Sequence, residues 1–224
     1  MSSAIEVVRN ARARRARLSV DSATGRVRLV LPPRAPLKKA LAWAEEKAEW
    51  IAEQRARLPQ AQPFEPGGTI PFGGACLTIA WEPSASRTLK RVGDTLHCGG
   101  TRDGVSRRIA TWLKREALRV LSAETDEFAD RAGVTVTKVA VGDPKTRWGS
   151  CASSGTIRYS WRLILMPDFV RRSTVAHEVA HRLHMDHSAR FYRVLEMLDE
   201  RDPDESRRWL RANGAALHWV GRES

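Results

Sequence analysis

The polar and apolar positions of residues 17–31 describe a hairpin. Leu18 and Val20 alternate with polar neighbours, Ser22 to Gly25 supply a turn, and Val27, Leu29 and Leu31 interleave with Arg26 and Arg28. Pro32-Pro33 ends it. Over residues 37–57 the period changes to 3.6: Leu37, Leu41, Ala44, Ala48 and Ile51 share one helical face, with Trp43 and Trp50 beside it as packing groups. Residues 58–104 are punctuated by Pro63, Pro66, Gly67-Gly68, Pro71, Gly73-Gly74, Pro83 and Gly99-Gly100, which predicts a small β region with strands near 75–81 and 88–97. A long helix is expected over 105–131. Ile109, Leu113, Ala117, Val120, Leu121 and Phe128 line one face, and Gly133 stands where a helix end needs positive φ.

The last hundred residues carry a denser pattern. Val134–Val141 reads as a strand and residues 142–155 as a loop. In 156–163, Ile157, Tyr159, Trp161 and Leu163 alternate with Arg158, Ser160 and Arg162, predicting a strand with one apolar and one polar face. Pro167-Asp168 opens a helix expected to reach about Leu183. Ser188 is placed to cap a helix over about 189–200, and a basic helix at 205–211 follows Pro203-Asp204. The whole describes an α+β chain, with a basic β-rich region and a helix in residues 1–104 and a second domain in 105–224.

Composition narrows the function classes. The chain has 224 residues and a net charge of +12, with eight arginines against two acids in residues 1–35. That stretch is read either as a solvated face or as an arm for a polyanion such as nucleic acid. No apolar run approaches the roughly 18 residues that span a bilayer, and the first residues lack the apolar core of a secretory leader, so a cytoplasmic protein without a membrane span is expected. Three cysteines without a CxxC pair, Cys76, Cys98 and Cys151, argue against a disulfide framework.

The chemistry concentrates at His177-Glu178-Val179-Ala180-His181. On a helix, positions four apart share a face, so both imidazoles can meet one ion. Glu178 then lies beside the metal as a base rather than a ligand, the arrangement needed to deprotonate water that a metal has acidified. Val175, Ala176, Val179, Ala180 and Leu183 make the rest of this helix apolar, and charge in a buried helix is costly without compensation. A hydrolytic zinc site needs a third protein ligand, and His187, Glu200 and His184 are the candidates.

Arg147-Trp148-Gly149-Ser150-Cys151, the segment ending Trp161-Arg162-Leu163, Pro167, the His177–His181 string and Asp186-His187-Ser188-Ala189-Arg190-Phe191 together resemble the YgjP-like metallopeptidases, relatives of the SprT-like and WLM zincins. The chain departs from that pattern at Ser160, Val179, Asp186 and Tyr192, none of them a ligand or base. The resemblance implies a zincin-like catalytic domain in 105–224, one Zn²⁺ per chain held by His177, His181 and His187, Glu178 as base, and a peptide or protein substrate. It also implies that strand 156–163 lies above the metal and pairs with extended substrate, which makes Arg158 and Tyr159 candidate substrate-binding residues, joined by Arg147 and Trp148 of the preceding loop, which is read as lining the cleft. Asp186 is a candidate to orient a ligand imidazole. By analogy with SprT-like proteins, an alternative is a nucleic-acid-associated protease that docks DNA through its basic N-terminal half.

Overall fold

A computed structural model of the chain describes residues 5–199 and 201–223 and divides it into two compact units, residues 1–60 and 61–224. In the first unit the expected hairpin forms from β2 (Arg17–Val20) and β3 (Val27–Leu31), paired antiparallel. A strand that the pattern did not announce, β1 (Glu6–Arg9), adds parallel to β3. The alternation works as expected: Val27, Leu29 and Leu31 are buried and Arg28 is exposed. Leu29 and Leu31 pack with Ala40 and Ala44 of the following helical segment. That segment is two helices, α1 (Leu37–Glu46) and α2 (Ala48–Ala56), broken at Lys47. Trp43 packs against the small core, whereas Trp50 is exposed.

Among the described residues the second unit contains two sheets and four α-helices. Strands β4 (Thr69–Phe72), β5 (Ala75–Glu82), β6 (Lys90–Val92) and β7 (Thr95–Gly99) form one sheet in the order β4-β5-β7-β6. Its inward residues Ile70, Leu77, Ile79 and Leu96 join one hydrophobic cluster with the long helix α3 (Val105–Ala132). The compact units therefore divide near residue 60, not at 104, because this sheet shares its apolar core with the helices that follow. Complete burial of each Leu or Ile contributes about 1.5–3 kcal/mol, so a shared core joins the elements firmly. Gly133 closes α3 with φ 63°, the left-handed cap expected of it.

The other sheet comprises β8 (Lys138–Gly142), β9 (Gly149–Cys151) and β10 (Thr156–Ser160), in the order β8-β10-β9. Ile157 and Tyr159 are buried as the alternation requires. After Ser160 the chain turns into a 3-10 segment, Trp161–Leu165, in which every residue is buried, including Arg162. The expected polar face ends there. Arg162 points inward because its guanidinium is fully occupied, donating to Asp143 Oδ1 at 2.8 Å and to the Leu217 and Val220 carbonyls at 2.5 and 2.9 Å. Helices α4 (Asp168–Ala180), α5 (Ala189–Leu198) and α6 (Pro203–Leu217) complete the unit. Arg171 of α4 grips Glu124 of α3 with three contacts of 2.8–3.1 Å, both side chains buried. Among the described residues no helix is long and apolar enough to cross a membrane.

Candidate metal centre

Helix α4 delivers His177 and Glu178 from its last turn, and His181 occupies the position that ends it. The helix stops three residues earlier than the periodicity predicts, because residues 182–188 turn back and bring His187 to the end of α4. The three imidazoles converge: one nitrogen from each lies within 4.8 Å of the others, and His177 Nε2 and His187 Nε2 are 3.3 Å apart. Phe191, completely buried on α5, contacts all three rings at centroid distances of 4.9, 4.6 and 4.9 Å and forms the apolar backing of the cluster.

The donor chemistry suits one divalent ion. Burial holds the His177 imidazole down at about 4, with the charges of His181, His187 and Arg207 acting in the same direction, so its lone pair is available at neutral pH. Burial also lowers His181. His181 Nδ1 lies 3.0 Å from the His184 carbonyl, and a proton shared there leaves Nε2 free to coordinate. The cluster is thus His177, His181 and His187, and His184 serves through its backbone. Glu200 lies outside the described residues. Asp186 accepts from the Ser188 N–H at 3.4 Å, and no bond joins it to a ligand imidazole among the described residues.

Glu178 projects beside the triad and is 6% exposed. Burial pushes its carboxyl up to about 7, opposed by the Arg147 charge and by a hydrogen bond from the Cys151 backbone. What the sequence pattern did not single out is Gly149. A Cβ built there would sit 2.5 Å from Glu178 Oε1 and 2.6 Å from its Cγ, closer than side-chain atoms tolerate. Only glycine lets β9 pass over the carboxylate. Gly149→Ala should therefore displace Glu178 without touching a histidine. Turnover that depends on Glu178 should fall about 100-fold, as a 1 Å misplacement can cost, with the affinity of the histidine cluster for a metal unchanged. Unaltered kcat in that variant would show that the close approach is irrelevant.

The strand beside the triad is β9, not β10. The expectation that strand 156–163 pairs with an extended ligand fails because β10 is central, bonded to β8 on one side and β9 on the other. Of the two edge strands, β8 and β9, it is β9 that lies against Glu178, and its three residues in a Gly/Ser-rich stretch are too short to show alternation. The four candidate binding residues separate accordingly. Arg147 and Trp148 line a cavity of about 290 Å³ with Gly149, His177 and Glu178. Trp148 is held by stacking on His218 at 5.0 Å. Arg158 is exposed and lines a neighbouring hollow with Arg147 and Ser150. Tyr159 is 1% exposed, and its hydroxyl pairs with Thr125 at 3.1 Å, so its side chain belongs to the core. The rest of the lining, Ser173, Thr174, Leu195, Ser206, Arg207 and Leu210, comes from α4, α5 and α6. These positions carry no motif and are recognisable only once the helices are packed.

The model of the YgjP-like metallopeptidase domain matches residues 14–213. The crystal structure of the metallopeptidase zymogen of Pyrococcus abyssi abylysin is similar with a TM-score of 0.38 and 18% identity, covering 41% of this chain and 93% of that one. No curated protein matches the chain.

Proposed function

The chain belongs to the YgjP-like metallopeptidase family, and on that premise we propose that it is a zinc-dependent peptidase in which His177, His181 and His187 hold one ion and Glu178 is the general base. The observation that carries this reading is the convergence of three imidazoles beside a buried carboxylate, with His177 and Glu178 lining a cavity of about 290 Å³. Bound zinc supplies Lewis acidity, which polarises a carbonyl and acidifies water. Glu178 takes the proton from the attacking water and passes it to the leaving amine; its apolar surroundings tune the carboxyl towards neutral pH for that exchange. Beside the Cys151 N–H that Glu178 takes, the edge of β9 turned away from β10 offers its remaining backbone groups to an extended peptide, and Arg147 and Trp148 line the adjoining cavity. On this reading catalysis resides in residues 105–224, and three free cysteines suit a reducing, cytoplasmic setting.

Chelator treatment should abolish peptide hydrolysis, and one equivalent of Zn²⁺ should restore it. His187→Ala should weaken metal affinity by more than about 100-fold, beyond the usual cost of losing an outer partner. Hydrolysis that survives exhaustive chelation, with no metal left in the protein, would end this reading.

A second role, docking nucleic acid, is favoured by one observation. Arg12, Arg14, Arg15, Arg17, Arg26 and Arg28 are exposed, and their side chains have no ion-pair partner among the described residues. Such cations gain from counterion release on a polyanion. DNA affinity that drops steeply with salt, and drops again on substitution of Arg12–Arg17, would establish it; salt-insensitive or absent binding would remove it.

A further inference from the structure

The cavity beside the triad is unevenly charged. Arg147 and Arg207 both line it, and among the described residues Glu178 is the sole acid that does. Ser173, Thr174 and Ser206 contribute hydroxyl side chains, and Trp148, Leu195 and Leu210 contribute apolar surface. Arg147 is exposed, and its side chain has no hydrogen-bond or ion-pair partner among the described residues. Arg207 is held in place, donating to Asp204 Oδ1 at 3.0 Å with its guanidinium 5.7 Å from the Tyr192 ring centroid. The charges of both arginines reach the centre, Arg147 acting on Glu178 and Arg207 on His177.

We infer that this cavity is a carboxylate-recognising subsite, in which Arg147, assisted by Arg207, selects peptides bearing a carboxylate next to the bond to be cut. The inference rests on the peptidase reading and deepens it. A volume of about 290 Å³ lies at the small end of ligand pockets, the size of one residue rather than a long segment. A guanidinium with free donors pairs bidentately with a carboxylate, which fixes direction as well as position. A lysine in the same place would meet two cations and only the carboxyl group that the reaction needs. Anchoring the substrate there sets the scissile carbonyl against Glu178 at a fixed distance. The carboxylate has two sources, the substrate's own C-terminus or an Asp or Glu side chain.

The test uses the full zinc-loaded chain and matched peptides: one neutral sequence as free acid and as C-terminal amide, and one amidated sequence with Glu or Gln after the scissile bond. We expect the carboxylate member of at least one pair to have a kcat/KM higher by about tenfold or more, as charge-assisted pairing predicts. Preference for acid over amide assigns the subsite to the chain end, and preference for Glu over Gln assigns it to a side chain. In Arg147→Gln the ratio should fall to near one, and Arg147→Lys should keep part of it. Calorimetry of the same peptides on Glu178→Gln protein should give the same ranking in Kd. Carboxylate-dependent binding that Arg147→Gln removes supports the subsite even if no peptide is hydrolysed, in which case the peptidase mechanism alone falls. Equal kcat/KM for charged and neutral partners in a Glu178-dependent reaction would overturn the subsite while the mechanism stands. A ratio preserved in Arg147→Gln, with both rates reduced together, would also overturn it, since Arg147 would then act on the reacting carbonyl.

Discussion

Glu178→Gln should lower kcat for peptide hydrolysis by about 10²–10⁴-fold, the range measured for general bases, while the protein keeps one metal ion per chain. Glutamine has the size of glutamate, so it fits beneath Gly149 where larger side chains would not. It retains the contact with the Cys151 backbone but cannot accept a proton from water. The three imidazoles are untouched, so metal content separates loss of the base from loss of the site. The same carboxyl sets the acid side of the pH profile. Burial raises it to about 7, and a neighbouring cation favours the charged form, so the rate should fall as pH drops through a value at or under 7. In Glu178→Gln this limb should vanish along with most of the activity. A variant of undiminished kcat would mean that another group handles the proton.

The second large effect concerns the helix that carries the site. Arg171→Ala should destabilise the protein by about 3–5 kcal/mol, the cost of leaving one member of a buried ion pair uncompensated. Glu124 is 8% exposed and receives three of its contacts from Arg171 at 2.8–3.1 Å. Once the arginine is gone its carboxylate keeps, among the described residues, only the Arg172 guanidinium, 3.9 Å away, and loses every hydrogen bond that Arg171 gives it between α3 and α4. The neighbouring Arg172–Glu127 pair is the exposed comparison, although Arg172 also stands 3.9 Å from Glu124. Its side chains are 35% and 46% exposed, so Arg172→Ala should cost no more than about 1 kcal/mol. Replacing both buried partners, as Arg171→Met with Glu124→Leu, should recover most of the loss because no charge remains to be desolvated. Denaturant midpoints at constant slope measure all three. A loss under 1 kcal/mol for Arg171→Ala would show that water reaches the pair.

Much of this arrangement is legible in the residues. The α+β class, the hairpin at 17–31, the long helix ending at Gly133 and the placement of His177, Glu178 and His181 on one helix follow from periodicity and turn chemistry. These signals are local: a side chain's face is fixed by its neighbours three or four positions away. What escaped depends on contacts between distant segments. The division near residue 60 depends on Ile70, Leu77 and Leu96 packing with α3, which no spacing announces. Arg162 reads as an outward residue by alternation, yet it is buried because Asp143 and two carbonyls from the C-terminal segment surround it. Tyr159 reads as a binding residue from its nearness to the site, but the pleat turns it towards Thr125. The role of β9 was hidden because three residues cannot display a period of two, and Gly149 makes its contribution by lacking a side chain. Arg207 joins the cavity only through the packing of α6 against α4.

The central claim is that His177, His181 and His187 share one ion with Glu178 beside it. Zinc-edge X-ray absorption on protein loaded with one equivalent of Zn²⁺ tests it most directly, with His187→Ala measured alongside. We predict a spectrum dominated by three imidazole nitrogens at about 2.0–2.1 Å, with no sulfur, and loss of one imidazole in the variant. Sulfur scattering near 2.3 Å from a cysteine, or a spectrum unchanged by His187→Ala, would contradict the account.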